Sequence, residues 1–131
     1  MLHVTFYRDG QGRCSGLSAR GHTSFAEHGE DIVCAAVSAV LQAAALGLAE
    51  HAGAELESRQ APGELELHLK AAERDRESVR AIVATAELAV AEIARRFPDH
   101  VRLRRSRSRV AGGRRPERVT KPASRRRAHD V

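Results

Sequence analysis

A chain of 131 residues and 14.3 kDa is the length of one domain, and its 42% apolar content suffices for a modest core. With three Phe, one Tyr and no Trp, aliphatic and alanine packing must fill that core, and no unbroken apolar run of about eighteen residues suggests a membrane span. Twelve Lys+Arg against two acids give residues 102–131 a net charge of +10, while ten against fifteen leave residues 1–101 at −5, so the sequence pI of about 10.2 licenses no claim that the rest of the chain binds nucleic acid.

The start, Met1-Leu2-His3-Val4, has no basic region ahead of an apolar segment, so no signal peptide is expected and a cytoplasmic location is. Residues 2–8 read as a strand rich in β-formers, Asp9-Gly10-Gln11-Gly12 as a turn, and residues 13–20 as a second strand weakened by Gly16, together a hairpin. Residues 21–29 form a loop bounded by glycines. A buried helix is expected from about Asp31, its N-cap, to His51, with Gly53 just past its end. Residues 54–60 and 64–69 alternate apolar and polar around Ala61-Pro62-Gly63, a second hairpin. Val79, Ile82, Val83, Ala86, Val90 and Ile93 recur at helical spacing between about Arg74 and Arg96, and Pro98 stops that helix.

Residues 100–103 suit a short last strand. The order β-β-α-β-β-α-β predicts an α+β fold, an antiparallel-rich sheet with two helices packed on it, over residues 1–103. Residues 104–131, Arg-rich with Gly112-Gly113, Pro116 and Pro122, carry too few apolar residues to offset their ordering entropy and are expected to be disordered.

The chemistry concentrates around the loop. If Asp31 caps the helix, Cys34 lies in its first turn, where unpaired N–H groups and the positive dipole end favour thiolate. His22 in the preceding loop can accept the thiol proton and return it to a leaving amine. Two other readings stand beside this one: Cys34 as a packed core residue of an Ala/Val-rich helix, and a metal site of Cys34, His22, His28 and Asp31. Asp31 either orients His22 or only caps the helix. Ser38, one turn below Cys34, bonds the thiol, a substrate group or the Cys34 carbonyl. Cys14, on a strand, reads as core, and His3, His51, His68 and His100 as surface or edge residues.

Gly21-His22, then Gly29-Glu30-Asp31-Ile32-Val33-Cys34-Ala35-Ala36-Val37-Ser38, closely resembles the signature of the ribosomal-processing cysteine protease Prp family, and the likeness extends over residues 1 to about 103. The resemblance implies a cysteine endopeptidase that removes an N-terminal extension from the twenty-seventh protein of the large ribosomal subunit. It places Cys34 on the nucleophile, His22 on the general base, and Asp31 and Ser38 on the other motif positions. It implies a homodimer, a mobile glycine-bounded loop and a ribosomal protein precursor as substrate, and the peptidase chemistry calls for no cofactor or metal. Thr23 and Ser24 stand where the family usually has alanine and glycine, Phe25 keeps an aromatic where tyrosine is common, and His28 replaces a frequent aromatic. The segment 104–131 has no counterpart in the family pattern. It either contacts ribosomal RNA or a ribosomal precursor electrostatically, or only solubilises the chain. The competing function is a non-enzymatic ribosome-associated factor that binds RNA through that segment.

Overall fold

A computed structural model of the chain describes residues 1–21 and 28–107, leaving aside the side chains of residues 28–31. The expectations for His22, for the loop over 22–27 and for the segment 108–131 therefore lie outside the described residues. Strand β1 (Leu2–Arg8) alternates Leu2, Val4 and Phe6 into the core, and β2 (Cys14–Arg20) pairs with it antiparallel. Between them Asp9 Oδ1 accepts from the N–H groups of Gln11 and Arg13, and Gly12 takes φ +81°, which closes the turn.

Helix α1 (His28–Leu46) continues into a π-helical turn, Gly47–His51, and Gly53 follows at φ +61°. Strands β3 (Leu56–Ala61) and β4 (Glu64–Leu69) form the second hairpin. After a 3-10 turn at Ala71–Glu73, helix α2 (Glu77–Arg96) leads to β5 (Val101–Ser106). The sheet order is β3-β4-β2-β1-β5, with β5 parallel to β1 and the other pairs antiparallel. Both helices cover one face. Val33, Val37, Leu41, Ala44 and Leu48 of the first helix and its π-helical extension, and Val79, Val83, Ala86 and Val90 of α2, share a core with Phe6, Leu17 and Leu67.

The α+β class and the element order agree with the sequence reading, and four details differ from it. The first helix begins at His28, so Asp31 is inside its first turn rather than at its N-cap. The second begins at Glu77, behind the 3-10 turn. The last strand runs to Ser106, three residues beyond the expected end, because pairing with Thr5, Phe6 and Tyr7 supplies hydrogen bonds that local apolar pattern does not announce. Finally, Ile32–His51 does meet the length and composition of a membrane-crossing helix, with a third of it buried, because Ser38 and Gln42 are too few to dilute its apolar residues. It is not a wholly buried helix: one stripe packs on the sheet and the opposite one is exposed.

Candidate active site

Strand β2 ends at Arg20, and Gly21 carries the chain away with φ +106°. A Cβ there would stand 2.6 Å from the Met1 carbonyl oxygen, and the Gly21 N–H donates to Gly63 O at 3.1 Å. Only glycine fits this close approach at positive φ, so the residue before His22 is pinned between the start of β1 and the β3–β4 turn.

Cys34 sits on α1 facing the sheet. It is 8% exposed and belongs to the core cluster, next to Val33 and one turn from Val37. Because α1 starts at His28, the orphan N–H groups of the helix start fall on residues 28–31 and Cys34 lies in the second turn. The expected placement of the thiol among those groups is thereby corrected by about one turn, roughly 5.4 Å along the axis, and the dipole fades over that distance. An acid at position 31, in the first turn, suits the helix dipole. Burial of Cys34 by itself fits a packing role as well as a chemical one.

Ser38 is half-buried and lines a cavity of about 130 Å³ together with Leu2, Ala19, Gln60 and Glu64. That cavity lies at the same end of the sheet as Gly21, since Leu2 opens β1, Ala19 nearly closes β2 and Glu64 opens β4. Cys34, Ser38 and the point where the chain leaves for His22 thus gather at one end of the fold. The geometry of His22 and the side chain of Asp31 lie outside the described residues, as does most of the metal set Cys34, His22, His28 and Asp31. Among the described residues no group of three or more His, Cys, Asp or Glu could hold a metal ion.

Cys14 is at the other end. Its Sγ is 3.5 Å from Gly16 O, it packs against the core, and burial pushes its thiol up. Neither cysteine is in a disulfide. Sequence reasoning missed Glu87, a carboxylate in the buried stripe of α2. Arg8 Nη2 donates to it at 2.8 Å and Arg105 Nε donates to it as well. Burial pushes the Glu87 carboxyl up, but the bonds from Arg8 and Arg105 outweigh this and hold it below the ordinary carboxylate range. The available signal was an acid beside Ala86, in phase with Val79, Val83 and Val90. His68 and His100, expected at the surface or an edge, are both half-buried; His100 meets the Phe97 ring edge-on at 6.4 Å.

The sequence model of the family described as Cysteine protease Prp matches residues 1–102. Among solved structures, SMU.848 from Streptococcus mutans is 25% identical, with a TM-score of 0.75, covering 82% of this chain and 99% of its own. An essential ribosomal processing protease Prp from S. aureus, in complex with a substrate peptide, is 20% identical with a TM-score of 0.73, over 80% of this chain and 99% of its own. The S. aureus protein with a covalently linked product peptide gives 21% identity and a TM-score of 0.69 over the same shares. At those identities the two S. aureus structures speak for the fold. No curated protein matches the chain.

Proposed function

The chain belongs to the cysteine protease Prp family, and from that premise we propose that it is the cytoplasmic endopeptidase that trims an N-terminal extension from the twenty-seventh protein of the large ribosomal subunit. The observation that carries this reading is the family match over residues 1–102, which spans both His22 and Cys34, in a fold that gathers Cys34, Ser38 and Gly21 at one end. The S. aureus neighbour, a ribosomal processing protease bound to a substrate peptide, supports the substrate class.

In the proposed reaction His22 takes the Cys34 proton, and the thiolate sulfur bonds to the scissile carbonyl carbon. As the tetrahedral intermediate collapses, the C–N bond breaks and His22 protonates the leaving amine. Water, deprotonated by His22, then cleaves the thioester, releasing the new carboxylate and regenerating the thiol. The cavity beside Ser38, at about 130 Å³, suits one substrate side chain, with the edge strand β3 beside it to pair an extended peptide. No cofactor is needed. Cys34→Ala and Cys34→Ser are expected to abolish cleavage of a peptide that copies the extension junction, with the fold retained, and His22→Ala to do nearly the same. Cleavage near the wild-type rate in the Cys34 variants overturns the reading.

The net charge of residues 102–131 favours a second contact, of the basic segment with ribosomal RNA. Removing residues 108–131, which spares β5, is then expected to weaken co-sedimentation with ribosomes and flatten its salt dependence, while turnover of a short peptide is unchanged. The exposed apolar stripe of α1 supports a homodimer.

A further inference from the structure

The two helices cover one face of the sheet, and among the described residues no helix covers the other. The strand registers set what stands there. Between the buried Leu2, Val4 and Phe6 of β1 lie His3, Thr5 and Tyr7, which point to the open face. Their partners on that face are Arg102, Arg104 and Ser106 of β5 on one side, and Arg20, Ser18 and Gly16 of β2 on the other. The row on β5 is cationic. Arg102 and Arg104 are both exposed, and neither guanidinium has an ion-pair or hydrogen-bond partner among the described residues. They stand two residues apart, about 6.6 Å along the strand.

The row on β1 carries the rings of His3 and Tyr7, and the row on β2 is low, since Gly16 has no side chain and Ser18 a short one. Tyr7 lies down over it. Its register partner is Gly16, yet its hydroxyl is 3.3 Å from Ser18 Oγ, two residues further along β2. A ring standing upright off the sheet could not reach that diagonal neighbour, so one ring face rests on the sheet and the other looks outward. Tyr7 is half-buried, as such a ring must be. The acids of this face are elsewhere, Glu64 and Glu66 on β4 and Glu57 on β3. Three strand spacings, about 14 Å, separate β5 from β4, more than a Debye length at physiological salt. Glu66 already engages Arg20 at 3.4 Å. The β5–β1 side of the face is therefore positive, with no acid among its residues.

We propose that the β5–β1–β2 half of this open face binds single-stranded RNA, its phosphates on the unpaired Arg102 and Arg104 and its bases stacked on Tyr7 and His3. Phosphates need free guanidinium donors and bases need exposed ring faces, and adjacent strands present the two side by side. An acidic peptide would use the arginines and leave the rings idle. A duplex keeps its base faces inside the stack, so a single strand is the form that fits. The choice of RNA over DNA rests on the ribosomal reading above, and the hydroxyls of Thr5 and Ser106, in the same rows, can meet a 2′-OH. The site belongs to the folded sheet and does not need residues 108–131.

Tyr7 is the single tyrosine of the chain, which has no tryptophan, so the intrinsic fluorescence of the full-length protein reads this face alone. Titration with a short oligouridylate is expected to quench it saturably. The double variant Arg102→Gln, Arg104→Gln is expected to weaken that binding about tenfold and to lower its salt slope by about 1.4, for two phosphate contacts on a single strand. Tyr7→Leu, followed by the amide resonances of Thr5 and Leu103, is expected to weaken it about tenfold, while Tyr7→Phe binds as the wild type does. Duplex RNA and the deoxy oligonucleotide of the same sequence are expected to quench less. Absence of a saturable quench overturns the site, also where labelled RNA binds without one, because the contact then lies on the basic segment alone. Arginine variants that titrate as the wild type does overturn it too, as does Tyr7→Leu binding equal to that of Tyr7→Phe or an equal quench by duplex RNA. An equal quench by the deoxy oligonucleotide overturns the assignment to RNA. Peptide turnover is expected to be unchanged in all these variants, so failure here and failure of the peptidase reading, which the Cys34 variants test, are separate results.

Discussion

Cys14 and Cys34 offer the same thiol in two settings, and the chemistry of the chain depends on which one reacts. Cys14 packs on β2 in contact with Gly16 O, and burial raises its thiol, so it stays protonated at neutral pH. Cys34 lies in the segment that resembles the family signature, within the matched residues 1–102. Brief iodoacetamide treatment of the folded protein followed by mass mapping is expected to label Cys34 ahead of Cys14, and preferential labelling of Cys14 would sink the nucleophile assignment. Glu87 is a second residue-scale case. Its carboxyl sits below its ordinary pKa in the folded chain, so it contributes stability above the unfolded value of about 4.3, and that contribution is lost as pH falls through the lowered folded value. Glu87→Gln is therefore expected to cost about 2 kcal/mol at pH 7, and the gap should begin to narrow below the unfolded value of about 4.3 and close only once pH has fallen through the lowered folded value; denaturant melts at neutral pH and along a descending acid series check it. The two sites differ in how far the sequence revealed them. Gly21-His22 and Cys34 stand in two blocks of one short segment, residues 21–38. Glu87, Arg8 and Arg105 meet only because β1, β5 and α2 converge, and no spacing along the chain announces that.

The four strands of the two hairpins were legible to within two residues at either end, because alternation and turn chemistry are local properties. The partner of β5 was not, since a parallel pairing with β1 joins residues about a hundred positions apart and leaves no local trace. The start of α1 was misjudged for a related reason: Asp31 has the chemistry of an N-cap, yet the helix extends three residues beyond it. Gly16 shows how an apparent weakness in a strand becomes a requirement. Read from sequence it lowers β propensity, but a Cβ there would stand 2.2 Å from Leu67 O on β4. Gly16→Ala must push β2 and β4 apart, and it is expected to destabilise the chain by about 2 kcal/mol or more. A denaturation midpoint equal to that of the wild type would show that the two strands can separate at no cost.

At the scale of the whole molecule, α1 has a face that the fold leaves uncovered. Ile32, Ala35, Ala36, Ala39, Ala43 and Leu46 recur at helical spacing and are all exposed, with Ile32 at 71% and Leu46 at 62%. This stripe lies opposite Val33, Val37 and Leu41, which pack on the sheet, and small residues at its centre allow a second backbone to come close. Glu50 at its far end is the first acid along it, so two copies can meet there without burying charge against charge over most of the contact. That is the physical basis for the proposed homodimer. Because Ile32 is two residues from Cys34 on the same helix, pairing of the two copies would also fix the part of α1 that carries Cys34. Ala39→Arg, at the middle of the stripe and exposed in the single chain, is expected to leave the fold intact and yield monomers in light scattering at tens of micromolar, where the wild type is expected to be dimeric. Peptide turnover in that variant should fall with dimer content, and recover as concentration rises if pairing is only weakened. A wild-type chain that is monomeric at those concentrations, or a variant that dimerises as well as the wild type, would refute the assignment of this face.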